Sequence, residues 1–393
     1  MKDNSNKNAL TIGVVCIVSY LANYYLRHIL SVLTPELLES GKFSVEHIGL
    51  LSSVYMIFYA AGQLLNGFLG DFISPRKMAP IGIAISGLLL IIFPFINAEA
   101  LQIVLFAAFG FSLSMVRGPF MKIIAENAKP NQARIICIFF SFASFAGPLI
   151  ASLFAVINNW HLVFIAAGGV AVITALISYA VLTVMERHGK ICCLSAKSQG
   201  FSSVLEVFKI EKFGFYMIIA ALVEIAGIAV SFWIPTFLTD SLHFDKITAN
   251  TIFTVISLAR SLVPFAALAI FRAINERDVA MMRVSLAAST VLFCFMLISQ
   301  NRYISLLLML LALMSISCTS ALLWSIYIPG LGKTGRVSSV NGILDCTGYV
   351  AAAAANMLFA NLMSRVGWNT VIIIWASLGL IGIAATFTVP KRQ

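Results

Sequence analysis

Five ionisable side chains lie deep within long apolar stretches of this 393-residue chain, namely Arg27, Arg117, Glu224, Arg260 and Asp345. A charged group in hydrocarbon is costly, so such residues usually face a cavity, a ligand or a partner of opposite charge. A guanidinium group suits an anion, because its fork of N–H donors matches carboxylate and phosphate oxygens. A buried carboxyl group can carry a proton. The chemistry predicted is therefore anion binding and proton coupling.

The two acids offer alternative partners for one of the arginines. Arg260 could pair with Asp345 or with Glu224, which would let both charges rest in a low dielectric for structural reasons. The sequence leaves open which acid pairs with Arg260, and whether Arg260 binds substrate instead. Glu224 and Asp345 are also the candidates for proton coupling.

The two arginines of the first half of the chain differ from Arg260. Neither Arg27 nor Arg117 has a deep acid in the first six apolar stretches, apart from Glu126 near the end of the fourth. Guanidinium groups in such surroundings require an anion. Arg27 is therefore the principal candidate for binding a ligand, and Arg117 is a second. For Arg117, a pair with Glu126 or a role as a gate stays open.

Neighbouring side chains complete the candidate binding site. Tyr24 precedes Arg27 by three residues and can share its helix face, whereas His28 is adjacent and points about 100° away. Trp324 and Tyr327 are also three residues apart. Both pairs of aromatic side chains suit contact with a sugar ring or hydroxyl group, but simple packing explains them equally well, and Tyr327 could also anchor the membrane interface.

The stretches that must position these residues are membrane spans. Hydrophobic residues make up 60% of the chain and charged residues only 11%, unlike a soluble globular domain. A span needs about 20 predominantly apolar residues, and only helices satisfy their own backbone at this length. The predicted spans are 9–37, 45–69, 78–96, 101–126, 132–157, 160–184, 214–238, 246–272, 279–299, 303–328, 334–361 and 367–388.

One long polar and basic segment, 185–213, interrupts these spans. It divides the chain into an N-terminal six-helix bundle over 1–184 and a C-terminal six-helix bundle over 214–393, with 185–213 as a cytoplasmic central loop. We therefore predict an all-α membrane protein with twelve transmembrane helices in two pseudo-symmetric six-helix bundles. Two similar halves joined in this way are a recurring plan of secondary transporters.

The basic residues predict the orientation. With both termini in the cytoplasm, the predicted outer loops hold only four of the 26 lysines and arginines, namely Lys42, Lys246, Arg302 and Arg365. Cytoplasmic loops carry the excess of positive charge in membrane proteins. The chain is thus predicted to cross the lipid bilayer of the plasma (inner) membrane many times. The same bias explains the net charge of +10 without nucleic acid, because no basic cluster lies on a polar face.

Several other classes of protein lack support. There is no zinc-ligand spacing and no Gly-rich phosphate loop, so we expect no metal, no cofactor and no ATP-driven motor within the chain. No nucleophile, base and orienting group occur together, which argues against an enzyme. Cys192 and Cys193 lie in the central loop, where a metal, disulfide or acylation role stays open beside an inert pair.

The segment after the second span resembles the loop motif of the major facilitator superfamily, Gly-x-x-x-Asp followed by a basic cluster. The matching residues are Gly67, Asp71, Arg76 and Lys77. Gly67 permits close helix contact, and Asp71 can cap or clamp a neighbouring helix end that breaks and reforms as a carrier rocks. Phe72 stands where the superfamily usually has arginine, so one charge of the clamp is missing. The resemblance covers the whole chain and implies the major facilitator fold.

Three segments resemble the organophosphate:phosphate antiporter family, which includes glycerol-3-phosphate and hexose-phosphate carriers. They are 25–28 with Pro35, which match the first helix and its phosphate-binding arginine, 71–76 in the loop motif, and 233–238 at the end of the seventh helix. This resemblance implies that Arg27 begins a phosphate site.

The chain also departs from that family. Gly227 stands where the family has its second phosphate-binding arginine, and His28 replaces the lysine beside the first. Arg260 could replace the missing charge. The related anion:cation symporter family also uses a first-helix arginine, together with buried carboxylates that take protons, and Glu224 and Asp345 fit that pattern.

We therefore expect a secondary active transporter that moves a small organic anion by alternating access, with the substrate between the two halves. A phosphorylated or carboxylated sugar-like metabolite is the expected substrate class, driven by anion exchange or by protons. The alternatives are a proton-coupled exporter of drugs or neutral solutes and a transporter-like ligand sensor. We expect a monomer, while the substrate, the coupling ion and the direction of transport stay open.

Overall fold

The computed structural model describes residues 2–157, 159–192, 206–275 and 277–388. All regular structure in these ranges is helical, which confirms the predicted fold class. Among the described residues, eleven helices are long and apolar enough to cross a membrane, and a bent pair brings the count to as many as twelve. The α-helices are α1 (Lys2–Glu39), α2 (Val45–Phe72), α3 (Pro75–Ile92), α4 (Glu99–Leu113), α5 (Arg117–Asn127), α6 (Pro130–Ala155), α7 (Trp160–Arg187), α8 (Phe213–Glu224), α9 (Ser231–Asp240), α10 (Lys246–Ala273), α11 (Asp278–Ile298), α12 (Arg302–Leu322), α13 (Ile328–Gly330), α14 (Val337–Val366) and α15 (Trp368–Thr386).

Polar residues set the start of several helices. Each of four side chains accepts a hydrogen bond from a backbone N–H in the first turn that follows it, which satisfies a donor that the helix leaves open. These caps are Ser44 before α2, Asn159 before α7, Asp245 before α10 and Asn301 before α12. The connections between spans therefore end at defined positions.

Prolines interrupt two spans of the first half. A proline inside a helix clashes with the carbonyl group four residues earlier and removes one hydrogen bond. Pro119 lies four residues after Met115, where α4 and α5 are separated by a short turn. Pro148 lies four residues after Ser144, where α6 bends by 45°. The first of these breaks places Arg117 at the beginning of α5.

Two spans of the second half contain π-helical segments. They are Ile225–Val230, between α8 and α9, and Leu323–Tyr327, between α12 and α13. Pro235 and Pro329 follow them and free carbonyl groups one turn earlier. Such segments occur frequently at functional sites because they redirect neighbouring side chains. Glu224 directly precedes the first segment, and Trp324 lies within the second.

The chain divides into two compact units, within the described residues of each range. The first unit comprises Met1–Val207 and Ile328–Cys346, and the second comprises Phe208–Tyr327 and Thr347–Gln393. Within the first unit α1 packs on α6, α3 on α7, and α2 on α4; within the second unit α11 packs on α12 and α15. The division of the sequence at 185–213 stays a prediction.

A pair of glycines allows α3 and α7 to approach closely. A Cβ atom added to Gly87 would lie 2.6 Å from the carbonyl oxygen of Gly168, which no backbone can tolerate without a shift. The contact thus depends on the absence of a side chain at this position.

We expect Gly87→Leu to destabilise the first unit, because the added side chain forces two packed helices apart. Overpacking of this kind costs about 3 kcal/mol, and the loss is measured as a lower melting temperature of the purified protein. Gly169→Leu is the matched control, since no atom lies within 4 Å of a Cβ added at Gly169. Equal melting temperatures for the two variants would contradict this account.

Candidate functional site

Arg27 lies in α1 with its guanidinium group between two tyrosine rings. The Cζ atom is 5.1 Å from the ring centroid of Tyr24 and 4.5 Å from that of Tyr59. Nη1 donates to the Tyr59 hydroxyl at 3.4 Å. Cation–π contact holds the charged group in place without neutralising it. Arg27, Tyr24 and His28 are all half-buried.

The spacing of Tyr24 and Arg27 predicted their shared face, and the structure brings them together. Tyr59 of α2 was missed by the sequence reasoning. The signal was present as Tyr55, Tyr59 and Gln63, three polar side chains at four-residue spacing within an apolar span. All three are buried.

Gln63 supplies a further hydrogen-bond donor on the same face of α2 as Tyr55 and Tyr59. Its side chain is 1% exposed, and its Nε2 atom has no hydrogen-bond acceptor among the described residues. A buried polar group normally has a partner, and an unsatisfied one calls for a ligand, a water molecule or an ion. An anion would supply acceptors for such a donor.

Arg117 is paired, contrary to the expectation for the first half of the chain. Its Nη1 atom forms an ion pair with Oδ1 of Asp345, whose side chain is fully buried. Oδ2 of Asp345 accepts from Nδ2 of Asn341 at 2.8 Å. The alternative partner Glu126 instead lies 3.5 Å from Lys122. The expectation was wrong because the acid comes from α14, which is distant in the sequence.

Asp345 also interacts electrostatically with Arg27. We call Arg27, Arg117, Asp345, Tyr24 and Tyr59 the cationic cluster. It brings the guanidinium groups of Arg27 and Arg117 together around the buried carboxylate of Asp345. The geometry therefore favours an anion as the guest of this cluster.

The loop motif after the second span surrounds the beginning of α14. Asp71 is 2% exposed and accepts from the backbone N–H groups of Ser338 at 3.2 Å and Ser339 at 2.9 Å. These are among the N–H groups that a helix leaves open at its N-terminus, where negative charge is also favoured. Asp71 thus holds the start of α14, and a role in conformational change stays a prediction.

Lys122 was missed as a member of this site. Its Nζ atom lies 2.9 Å from Oδ1 of Asp71 and donates to the carbonyl oxygen of Gly335 at 2.8 Å. The side chain is 1% exposed. Lys122 therefore supplies a positive charge beside Asp71, where Phe72 stands in place of the usual arginine. Lys122 lies near the predicted cytoplasmic end of the span 101–126, where basic residues are common in any membrane protein. Its position in the sequence therefore did not indicate an ion pair.

The other residues of the loop motif have separate contacts. A Cβ atom added to Gly67 would lie 2.7 Å from the Cα atom of Gly342, so these two glycines bring α2 and α14 into backbone contact. Arg76 forms an ion pair with Glu186, and Lys77 is exposed.

The second unit contains its own polar group around Arg260. Its Nε atom donates to Oγ of Ser317 at 3.0 Å, and Nη1 donates to Oγ of Ser231. Glu224 is the acid whose charge acts on Arg260. The alternative pairing with Asp345 is wrong, since Asp345 forms its ion pair with Arg117.

The two aromatic residues of span 10 lie in π-helical rather than α-helical structure. Trp324 is buried, and the ring of Tyr327 stacks on that of Tyr216 with centroids 3.5 Å apart. Packing therefore covers one face of the Tyr327 ring. A substrate contact by either residue stays a prediction.

No group of three or more His, Cys, Asp or Glu side chains that could hold a metal occurs in the part of the chain that the structure describes. Cys192 is exposed. Cys193 lies outside the described residues, together with positions 194–205 of the central loop, so the alternatives for this pair stay open.

The sequence is similar to those of known proteins. Residues 16–355 match the sequence family described as the Major Facilitator Superfamily. The chain is also 22% identical over 420 residues to the probable sulfoacetate transporter SauU of Cupriavidus necator, with 99% of this chain and 96% of that protein covered.

Solved structures share the fold. The human organic anion transporter MFSD10 has a TM-score of 0.76 at 15% identity, with 96% of this chain and 99% of that chain covered. The fucose:proton symporter FucP of E. coli also has a TM-score of 0.76, at 12% identity, with 98% and 99% covered. At these identities the likeness concerns the fold alone.

Proposed function

Because the chain belongs to the Major Facilitator Superfamily and is a secondary transporter rather than an enzyme, we propose that its substrate is a small organic anion. The observation that carries the proposal is the cationic cluster, in which the half-buried Arg27 and the paired Arg117 share one carboxylate. Arg27 is the principal anion ligand, with Tyr24, Tyr59 and His28 beside it. Arg117 is the second ligand.

The substrate class follows from the chemistry of the guanidinium group. Carboxylate, phosphate and sulfonate groups all present oxygens that match its donors. The proposed substrate is a phosphorylated, carboxylated or sulfonated metabolite of small size. The relative named as a probable sulfoacetate transporter, whose substrate combines a carboxylate with a sulfonate, supports this class. The resemblance to the organophosphate:phosphate antiporter family supports the phosphorylated metabolites within this proposed class.

The second unit contributes a further set of proposed site residues. Arg260 would assist in substrate binding, with Glu224 as its counter-charge, and Trp324 and Tyr327 are candidates for contact with the uncharged part of the substrate. Transport by anion exchange and transport with protons are both compatible with these groups. We further propose a monomer in the plasma (inner) membrane with both termini in the cytoplasm.

We expect a thermal-shift panel on the purified protein to reveal the substrate class. Sulfoacetate, glucose 6-phosphate, glycerol 3-phosphate and gluconate are tested beside the neutral controls glucose and glycerol. A ligand at about a hundred times its Kd stabilises the folded state by about 2.7 kcal/mol, so at least one anion should raise the melting temperature while its neutral counterpart does not. A panel in which no anion acts, or in which neutral solutes act equally, would contradict an anionic substrate and favour an exporter of neutral compounds.

A further inference from the structure

Gln63 lies where α2 and α14 touch. A Cβ atom added to Gly342 would lie 2.3 Å from the carbonyl oxygen of Gln63 and 2.7 Å from the Cα atom of Gly67. Helix residues one turn apart share a face, so Gln63 precedes Gly67 by one turn on the α2 face that packs against α14. Gln63 also follows Tyr59 by one turn, and the Tyr59 ring contacts Arg27. Gln63 is thus placed between the close contact of the two helices and the cationic cluster.

The facing side of α14 contains a second amide, that of Asn341. Its Nδ2 atom donates to Oδ2 of Asp345 at 2.8 Å, which holds Asn341 beside the carboxylate of the cationic cluster. Asn341 is fully buried, and its Oδ1 atom has no hydrogen-bond donor among the described residues. Asn341 directly precedes Gly342, which touches the backbone of Gln63. The two amides therefore belong to neighbouring helices at nearly the same level.

These two amides leave one donor and one acceptor without a partner in the described part of the chain. Nε2 of Gln63 lacks an acceptor, and Oδ1 of Asn341 lacks a donor. Ionised carboxylate, phosphate and sulfonate oxygens only accept hydrogen bonds, so the charged group of a substrate could serve Gln63 but not Asn341. A hydroxyl group both donates and accepts. A single hydroxyl group would therefore satisfy both buried amides, as buried polar groups require.

We propose that Gln63, together with Asn341, binds a hydroxyl group of the substrate and so selects hydroxylated anions within the class that the cationic cluster binds. The hydroxyl group accepts from Nε2 of Gln63 and donates to Oδ1 of Asn341, while the charged group of the same molecule binds Arg27. A site of this kind rejects an analogue that lacks the hydroxyl group, because the buried amides are then left unpaired. The inference rests on the proposed function and narrows its substrate class.

Water is the alternative occupant of this position, since a water molecule also donates and accepts hydrogen bonds. A water molecule held by the two amides with every substrate would give no preference for hydroxylated anions. The selectivity between matched anions therefore separates a substrate hydroxyl group from a bound water molecule.

The test compares the Kd values of anions that differ in their hydroxyl groups. Glycerol 3-phosphate is paired with propyl phosphate, gluconate with hexanoate, and glucose 6-phosphate with cyclohexylmethyl phosphate. The wild type should bind the hydroxylated member of at least one pair about tenfold more tightly or better, because an unpaired buried polar group changes the affinity by about this factor.

Gln63→Met removes the amide and keeps the length of the side chain. The variant should bind the hydroxylated anion at least about tenfold more weakly and the matched analogue about as well as the wild type, so the preference disappears. The melting temperature of the unliganded variant should not fall, because Nε2 of Gln63 donates no hydrogen bond within the described structure. Gln300→Met is the matched control, since it makes the same change at an exposed glutamine and should keep the wild-type preference.

Equal affinities within every pair, or a wild-type preference that Gln63→Met retains, overturn the role of Gln63 although an anion is bound. Binding of sulfoacetate without binding of any hydroxylated anion does the same, since sulfoacetate has no hydroxyl group. A Gln63→Met protein that fails to fold, or melts well below the wild type, assigns Gln63 to the folded structure and also overturns the inference. A wild type that binds no anion of the thermal-shift panel overturns the proposed function and this inference together.

Discussion

Uptake of organic anions into proteoliposomes should fall at least about a hundredfold when Arg27 is replaced by alanine. The variant loses the guanidinium group that the two tyrosine rings hold in the cluster. Two or more charge-assisted hydrogen bonds to an anion are together worth about 3 kcal/mol, and each 1.4 kcal/mol is a factor of ten in affinity. Arg27→Lys keeps the charge but loses the planar fork, so we expect an intermediate loss.

The control for this experiment is Arg302→Ala. Arg302 also contacts two aromatic rings, with its Cζ atom 5.1 Å from the centroid of Phe244 and 4.9 Å from that of Tyr303, but it lies exposed at the beginning of α12. Arg302→Ala therefore tests whether anion uptake depends on any arginine beside aromatic rings or on Arg27 in particular. Unchanged uptake by a folded Arg27→Ala protein would remove Arg27 from the site and leave a carrier whose substrate is of another class.

We expect Asp71→Asn to lower the melting temperature strongly and to stop most transport. The buried ammonium group of Lys122 loses the carboxylate that lies 2.9 Å away and keeps that of Glu126 at 3.5 Å. Breaking a buried ion pair from one side costs about 3–5 kcal/mol, and we expect a loss near the lower value because Glu126 remains. The backbone N–H groups at the start of α14 also lose a charged acceptor, which costs about 1 kcal/mol more. Substrate binding at Arg27 should persist, because Asp71 contacts α14 at Ser338 and Ser339, whereas the residue of α14 in the cationic cluster is Asp345.

A double-mutant cycle separates the interaction free energy of the Asp71–Lys122 ion pair from the other destabilising effects of the two substitutions. Lys122→Met alone should also destabilise, and the Asp71→Asn/Lys122→Met protein should lose clearly less than the sum of the single losses, since residues in contact are not additive. Lys77→Gln, an exposed charge of the same loop, should change stability by less than about 0.5 kcal/mol. Fully additive losses in the cycle would show that the pair does not act as a unit.

The spans of this protein could be predicted from the sequence because they depend on local properties. Apolar runs of sufficient length must form helices in a bilayer, and prolines and capping residues act on the turns next to them. The predicted spans accordingly match the membrane-spanning helices within a few residues. The bend of α6 near Pro148 was not predicted, although it has a local cause. The five deep ionisable residues were identified for the same reason, since the cost of charge in hydrocarbon needs no knowledge of the fold.

Contacts between site residues that are close in the sequence could also be predicted. Tyr24 and Arg27 share a face because they are three residues apart, and Asn341 binds Asp345 because they are four apart. Within one helix, spacing alone determines which side chains meet.

The partners across helices were decided only by the tertiary structure. Arg117 and Asp345 are 228 positions apart, and Asp71 and Ser339 are 268 positions apart. A single sequence contains no information about which faces of distant helices pack together. The sequence analysis therefore considered Asp345 as a partner of Arg260 and only Glu126 as a partner of Arg117, whereas Asp345 pairs with Arg117. The π-helical segments also escaped prediction, because they depend on how prolines and packing distribute freed backbone groups. The sequence by itself determined that this chain crosses a membrane with deep charges, and only the packing of α1, α5 and α14 decided that Arg27 and Arg117 lie around the carboxylate of Asp345.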